Sequence, residues 1–233
     1  MNQHQITFFR STPIFARLPD EALQEVIAGF HSHIYARHEI LFFEGDEATN
    51  FFLISAGRVR LYKVSDQGRE FTLFIVRSRQ VFDLPAVFDS DPHAVSAAAL
   101  SDARVYVTSL SHIQEMAQRY PPLYRTLARQ LSAVTRRIAD IASDLALTDV
   151  ATRLARLLLV SSRSQGATTP EGILLTLDLS HSEIATLLGT AREVVSRTFR
   201  NLERDGFVKR TRHGILIRDP HKLAEIAHMR DGL

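Results

Sequence analysis

The chain contains no cysteine in its 233 residues. It therefore forms no disulfide, no thiolate zinc site and no cysteine-ligated iron–sulfur cluster. No apolar run reaches the roughly 18 residues that a membrane helix needs. The opening segment, MNQHQITFFR, lacks a basic region followed by a long apolar core, so no signal peptide and a cytoplasmic location are expected. Catalytic patterns are missing as well: there is no nucleophile elbow, no P-loop lysine and no helix with two metal-binding histidines. Ser180, His181 and Ser182 adjoin, but neighbours at a helix start point in different directions and make no triad. Asp89 and Asp91 lie in a turn, where aspartate is ordinary. No catalytic residue and no metal site is expected, and the chain is not read as an enzyme.

What is present is unevenly distributed. A hydrophobic content of 45% supports a packed core, and the length suits one large domain or two small ones. The net charge of +2 hides a split. Residues 1–149 carry 15 Lys and Arg against 17 Asp and Glu, a net of −2, whereas residues 150–233 carry 13 against 9, a net of +4. Most of the excess lies in 191–212, where seven basic residues meet three acidic ones. Such a local basic surface is the footprint of nucleic-acid binding.

The texture changes along the chain. Residues 14–30 read as a helix opened by Pro19-Asp20-Glu21, with Leu23, Val26, Ile27 and Phe30 on one stripe. From about 34 to 110, stretches such as FFLISAGRVRLYKV and EFTLFIVR are rich in β-branched and aromatic residues and punctuated by glycine turns, which predicts a small barrel or sandwich. Residues 111–147 read as one long helix. Leu123, Leu127, Leu131, Val134, Ile138, Ile141 and Leu145 are spaced 4, 4, 3, 4, 3, 4, close to a heptad seam. This stripe suits a dimerising coiled coil, or else packing against the chain's own β-rich part. A helix over 149–160, a polar loop SSRSQGATTPEG, a short strand ILLTLDL, two helices and a hairpin follow. The expected organisation is an α+β chain: a β-rich domain at 1–110, a dimerisation helix at 111–147 and a third part at 148–233.

The sharpest signal is LSHSEIATLLGTAREVVSRTFRNLERDGFV. Ser180 with Glu183, and Thr190 with Glu193, each fit a capping box, so helices are expected to start near 181 and 191. Gly189 lies between them, where a left-handed residue is cheap. Two short helices joined by a tight turn make a helix-turn-helix. Val195, Phe199 and Leu202 fall on one side of the second helix and should pack on Ile184, Leu187 and Leu188. Arg192, Glu193, Ser196, Arg197 and Arg200 fall on the other. The N-terminal part of such a helix enters the major groove, where arginine pairs with guanine and glutamate accepts from cytosine. For Glu193 the capping role is an equal alternative. In FVKRTRHGILIRD, Lys209, Arg210 and Arg212 flank a hairpin wing and suit phosphate contacts; a solvated, charge-protected edge is the alternative. Thr190 and Ser180, at the helix starts, complete the DNA-contacting set.

The order of β-rich domain, heptad helix and winged helix-turn-helix resembles the Crp–Fnr family of bacterial transcription factors over nearly the whole chain. Glu44-Gly45-Asp46, Phe52-Leu53-Ile54 and Gly57-Arg58-Val59 look like the turns of its cupin-like β-roll (a jelly-roll), and Thr190 to Arg197 looks like its recognition helix. The resemblance implies a homodimer, double-stranded DNA with a palindromic TTGAT-like site, and RNA polymerase as partners. It also implies a β-roll that senses an effector. At the positions where cyclic-nucleotide binders of the family carry Gly-Glu and Arg-Ser pairs, this chain has Asp83-Leu84 and Ala94-Val95. A phosphate buried without a cation is costly, so cyclic AMP and cyclic GMP are not expected. Leu84, Pro85, Ala86, Val87, His93, Ala94 and Val95, with the alanines at 97–99, instead suggest an apolar slot. Haem sensing nitric oxide or carbon monoxide is one candidate, with His93, His31, His33 or His38 as axial ligand. A small organic ligand, or no effector, is the alternative, and so is a winged helix that docks a protein rather than DNA.

Overall fold

The structure is a computed structural model that describes residues 3–229. It divides into two compact units, residues 1–139 and 140–233.

The first unit opens with α1 (Gln3–Arg10) and α2 (Asp20–Ala28), and the eight strands that follow build a sandwich. These are β1 (His31–Tyr35), β2 (Ile40–Phe42), β3 (Asn50–Ala56), β4 (Arg58–Val64), β5 (Glu70–Arg77), β6 (Val81–Phe82), and, after the short α3 (Ala86–Asp89), β7 (Ser96–Ala99) and β8 (Ala103–Ser109). They form two antiparallel four-stranded sheets, ordered β1-β8-β3-β6 and β2-β7-β4-β5. Strand β3 is apolar on both faces, and its surroundings explain this. Phe52 and Ile54 point into the sandwich with Phe42, Val59, Leu61, Phe82 and Val105. Phe51 and Leu53 face the opposite way, into a helical layer with Phe9, Leu23, Ile27 and Ile113. The helix α1, which the sequence pattern did not reveal, supplies the fully buried Phe9.

The predicted single helix over 111–147 is two helices, α4 (Leu110–Arg119) and α5 (Pro121–Leu147). Tyr120 between them has φ −121° and ψ 86°. A proline ring crowds the residue before it out of the helical region, while proline itself fits the first helical turn, where its missing N–H has no intrahelical role. The heptad seam is also corrected. Leu123 and Leu127 are fully buried in the first unit's own core, so these two are not presented to a second chain; Leu131 and Val134 are half-buried and pack against that core. Ile138 and Leu145 are 45% and 39% exposed. The exposed apolar residues of the helix instead include Tyr124, Ile138 and Leu145, fourteen and seven residues apart.

The second unit contains α6 (Val150–Gln165), β9 (Gly166–Thr169), β10 (Gly172–Leu175), α7 (His181–Leu188), α8 (Arg192–Arg204), β11 (Val208–Thr211), β12 (Gly214–Ile217) and α9 (Pro220–Ile226). Asp149 caps α6, accepting the Thr152 N–H at 2.8 Å, and this bond holds its carboxyl below the usual aspartate range. The expected polar loop after residue 160 does not exist as such. Helix α6 runs on to Gln165 with Ser161 and Ser162 buried, the Ser162 hydroxyl bonding back to the Leu159 carbonyl at 2.8 Å. Strand β9 then pairs with β10, giving a sheet ordered β11-β12-β10-β9. Gly214 at the β11–β12 turn has φ 140°, and a Cβ there would lie 2.3 Å from the Leu175 carbonyl oxygen; only glycine fits.

Candidate nucleic-acid interface and effector cavity

Helix α7 starts with a complete capping box. The Ser180 hydroxyl accepts the Glu183 N–H at 3.2 Å, and the Glu183 carboxylate accepts the Ser180 N–H at 2.6 Å. Gly189 ends the helix at φ 61°, and the Thr190 N–H donates to the Ala185 carbonyl at 3.0 Å, closing the turn as a Schellman motif. The second expected capping box is absent: Thr190's N–H is already taken by Ala185 and cannot also serve Glu193. Helix α8 opens one residue later, with Ala191 at the cap and no side-chain capping bond. Glu193 therefore sits in the first turn, exposed, with no bonding partner among the described residues. Its capping alternative falls away, leaving a carboxylate free at a helix N-terminus.

The faces of α8 sort as the spacing predicts. Val195, Phe199 and Leu202 are buried and pack with Ile184 and Leu188; Leu187 is only half-buried. Arg192, Glu193, Arg197 and Arg200 are exposed. Arg192 and Arg197 have no acidic partner among the described residues, and Arg200 bonds only the Ser196 carbonyl, at 3.4 Å. Ser196 is half-buried, its hydroxyl 2.9 Å from Nδ1 of His181, whose ring stacks on Phe199 at 5.2 Å and 7°. Burial, then the nearby Arg210 and Arg192 guanidinia, hold the His181 pKa below the usual imidazole value. This histidine was legible only as a neighbour of two serines.

The wing residues Lys209, Arg210 and Arg212 are all exposed but not equivalent. Arg210 is ion-paired with Glu203 at 2.6 Å, and its backbone N–H also bonds that carboxylate at 2.8 Å. These bonds keep the Glu203 carboxyl below the usual glutamate range. Arg212 donates to the ring of His213 at 2.8 Å, and Lys209 has no partner among the described residues.

In the first unit, a cavity of about 310 Å³ lies between β5, the β6 segment and α5. Of the expected slot residues, Leu84, Pro85, Ala94 and Val95 line it. Ala86 and Val87 are buried in the helical core instead, and the alanines at 97–99 are buried in β7. His93 is also outside the lining. It is 5% exposed, its Nδ1 is 2.6 Å from the Asp83 carboxylate, and its ring stacks on Phe42 at 3.7 Å. His31, His33 and His38 are exposed on and just after β1. No histidine, methionine or tyrosine lines the cavity, so this cavity offers a haem iron no axial side chain. The charged groups in the wall are Asp83, spent on His93, together with Arg79 and Arg137. Arg137 lies over the Phe74 ring, 5.1 Å from its centroid. The sequence reading assigned neither arginine to the slot: Arg79 lies five residues before Leu84, and Arg137 reaches the cavity from α5, distant in sequence.

Comparison with known proteins covers both units. Residues 152–226 match the model of the Crp-like helix-turn-helix domain, and residues 32–120 match the model of the cyclic nucleotide-binding domain. The CRP-like cAMP-activated global transcriptional regulator of Mycobacterium tuberculosis is 28% identical over 193 residues, 83% of this chain and 86% of that protein. The global nitrogen regulator of Synechocystis is 27% identical over 217 residues, 91% of this chain and 93% of that protein. A CooA mutant from Carboxydothermus hydrogenoformans superposes with a TM-score of 0.76 at 27% identity, covering 93% of this chain and all of that one.

Proposed function

The chain belongs to the Crp–Fnr family of transcription regulators and carries that family's DNA-binding helix-turn-helix; on that premise we propose that it is a cytoplasmic homodimer that reads a palindromic, TTGAT-like site and recruits RNA polymerase there. The observation that carries base reading is the exposed first half of α8. It presents Arg192, Glu193 and Arg197 unpaired among the described residues, with Ser196 beside them. A carboxylate among phosphates is repelled unless a base amino group meets it, so Glu193 argues for reading bases rather than gripping the backbone alone. A protein-docking surface would expose apolar residues on this face, and this one exposes arginines.

The β-roll cavity is the proposed effector site. Its lining is mostly apolar, with two guanidinia and no cation at Ala94-Val95. This supports a small ligand with an apolar body and an acidic group, and argues against cyclic nucleotides, although the Mycobacterium relative is named as cAMP-activated. Selection of duplexes from a randomised library by the full-length protein tests the DNA assignment. Enrichment of inverted half-sites one helical turn apart is expected; the absence of any enriched sequence would sink it.

A further inference from the structure

Resting on that reading of α8, the contact between His181 and Ser196 assigns a further determinant of specificity. We propose that His181 sets the base preference of Ser196 by accepting a hydrogen bond from its hydroxyl, so that the serine turns lone pairs toward the groove.

A serine hydroxyl is both donor and acceptor and by itself contacts either kind of base edge. Ser196 differs from its neighbour Thr198, whose hydroxyl bonds back to the Val194 carbonyl at 2.9 Å. The hydroxyl of Ser196 makes no such bond, and its protein partner is Nδ1 of His181 at 2.9 Å. The ring is stacked on the buried Phe199, a contact that favours its position beside Ser196. The charged groups facing it are Arg192 from α8 and Arg210 from β11, the latter bonded to Glu203; Glu183 on its own helix is committed to the Ser180 N–H. This cationic surround favours a neutral ring. A neutral ring with Nδ1 unprotonated accepts a hydrogen bond from the serine hydroxyl, and Ser196 then favours a base that offers an amino group, adenine N6 or cytosine N4. A protonated ring donates instead through Nδ1–H. The hydroxyl then turns outward as a donor, and the preference moves to the acceptors of thymine or guanine.

The test uses the full-length protein, the selected duplex and its complete set of single-base-pair variants, with binding followed by fluorescence anisotropy. At about pH 8 the base pair facing Ser196 is expected to favour an amino-bearing edge by about two- to tenfold, the worth of one hydrogen bond. At about pH 5 the order at that base pair should reverse. His181→Phe, which keeps the stack, should flatten the preference at that position alone and abolish its pH dependence. Ser196→Ala should do the same, with no further effect from adding His181→Phe. An unchanged base profile in His181→Phe, with operator still told from random DNA, overturns the inference and leaves base reading intact. Failure of the wild type to tell operator from random DNA overturns base reading itself. Nitrogen chemical shifts of the His181 ring give a reading without DNA or folding of a variant: an unprotonated Nδ1 at neutral pH is expected, and a protonated one overturns the inference.

Discussion

Two basic residues of the proposed DNA-binding surface sit on different elements, α8 and the wing, and their loss should be told apart by salt and by sequence. Arg197 sits in the first half of α8, exposed and with no acidic partner among the described residues. A guanidinium in that position pairs with guanine O6 and N7, so Arg197→Ala should cost about 1–3 kcal/mol on the selected site and little on random DNA. Lys209 lies on the wing, exposed and with no partner among the described residues. Lys209→Ala should weaken all sequences alike and reduce the slope of log affinity against log salt by about one unit. Titrations of both variants against both duplexes at several salt concentrations check this; identical behaviour of the two on both duplexes refutes the division. Arg210 makes a weaker case for phosphate contact than its position in the sequence suggests, because Glu203 already neutralises it.

At the level of elements, α5 has two different jobs along its length. Leu127 is fully buried in the chain's own core, whereas Ile138 is 45% exposed. Leu127→Ala should cost about 2–5 kcal/mol of stability and leave association to follow from folding. Ile138→Asp should leave the melting temperature nearly unchanged and shift the protein to monomer in sedimentation; a dimer that survives it would place the seam elsewhere. The periodicity of this helix was plain in the sequence, but which partner each leucine meets was not. An apolar stripe looks the same whether it packs on its own sheet or on a second chain, and the proline pair at 121–122 that splits the segment was read through. The helix-turn-helix was more legible because caps and glycine turns act within a few residues. Even there Thr190 misled: its N–H was claimed by the end of α7, a competition that only the folded turn reveals. The cavity was half-legible. Leu84, Pro85, Ala94 and Val95 are close in sequence, and Arg79 lies just before them, while Arg137 reaches the cavity only through the fold.

At the scale of the whole molecule, three groups of the second unit point the same way in acid. Asp149, Glu203 and His181 all have pKa values lowered by folding, the first two chiefly by hydrogen bonds and the third chiefly by burial. The unfolded chain therefore takes up protons before the folded one as pH falls. The contribution of His181 should fade below about 6.5, and those of the carboxylates, complete above about 4, should be lost as pH drops through their lowered folded values. Calorimetric melts of the full-length protein over a pH series should show this in the transition of residues 140–233, with His181→Phe removing the earlier loss and Glu203→Gln part of the later one. A melting temperature flat down to about 4 would contradict the first. One residue ties the remaining themes together. Ile138 lines the β-roll cavity and also stands among the exposed apolar residues of α5. If a ligand in that cavity favours pairing of two helices, pairing must favour the ligand by the same factor, since the two share one thermodynamic cycle. The effector affinity of this regulator is then not a fixed constant but rises with the amount of regulator present, so its abundance sets its sensitivity.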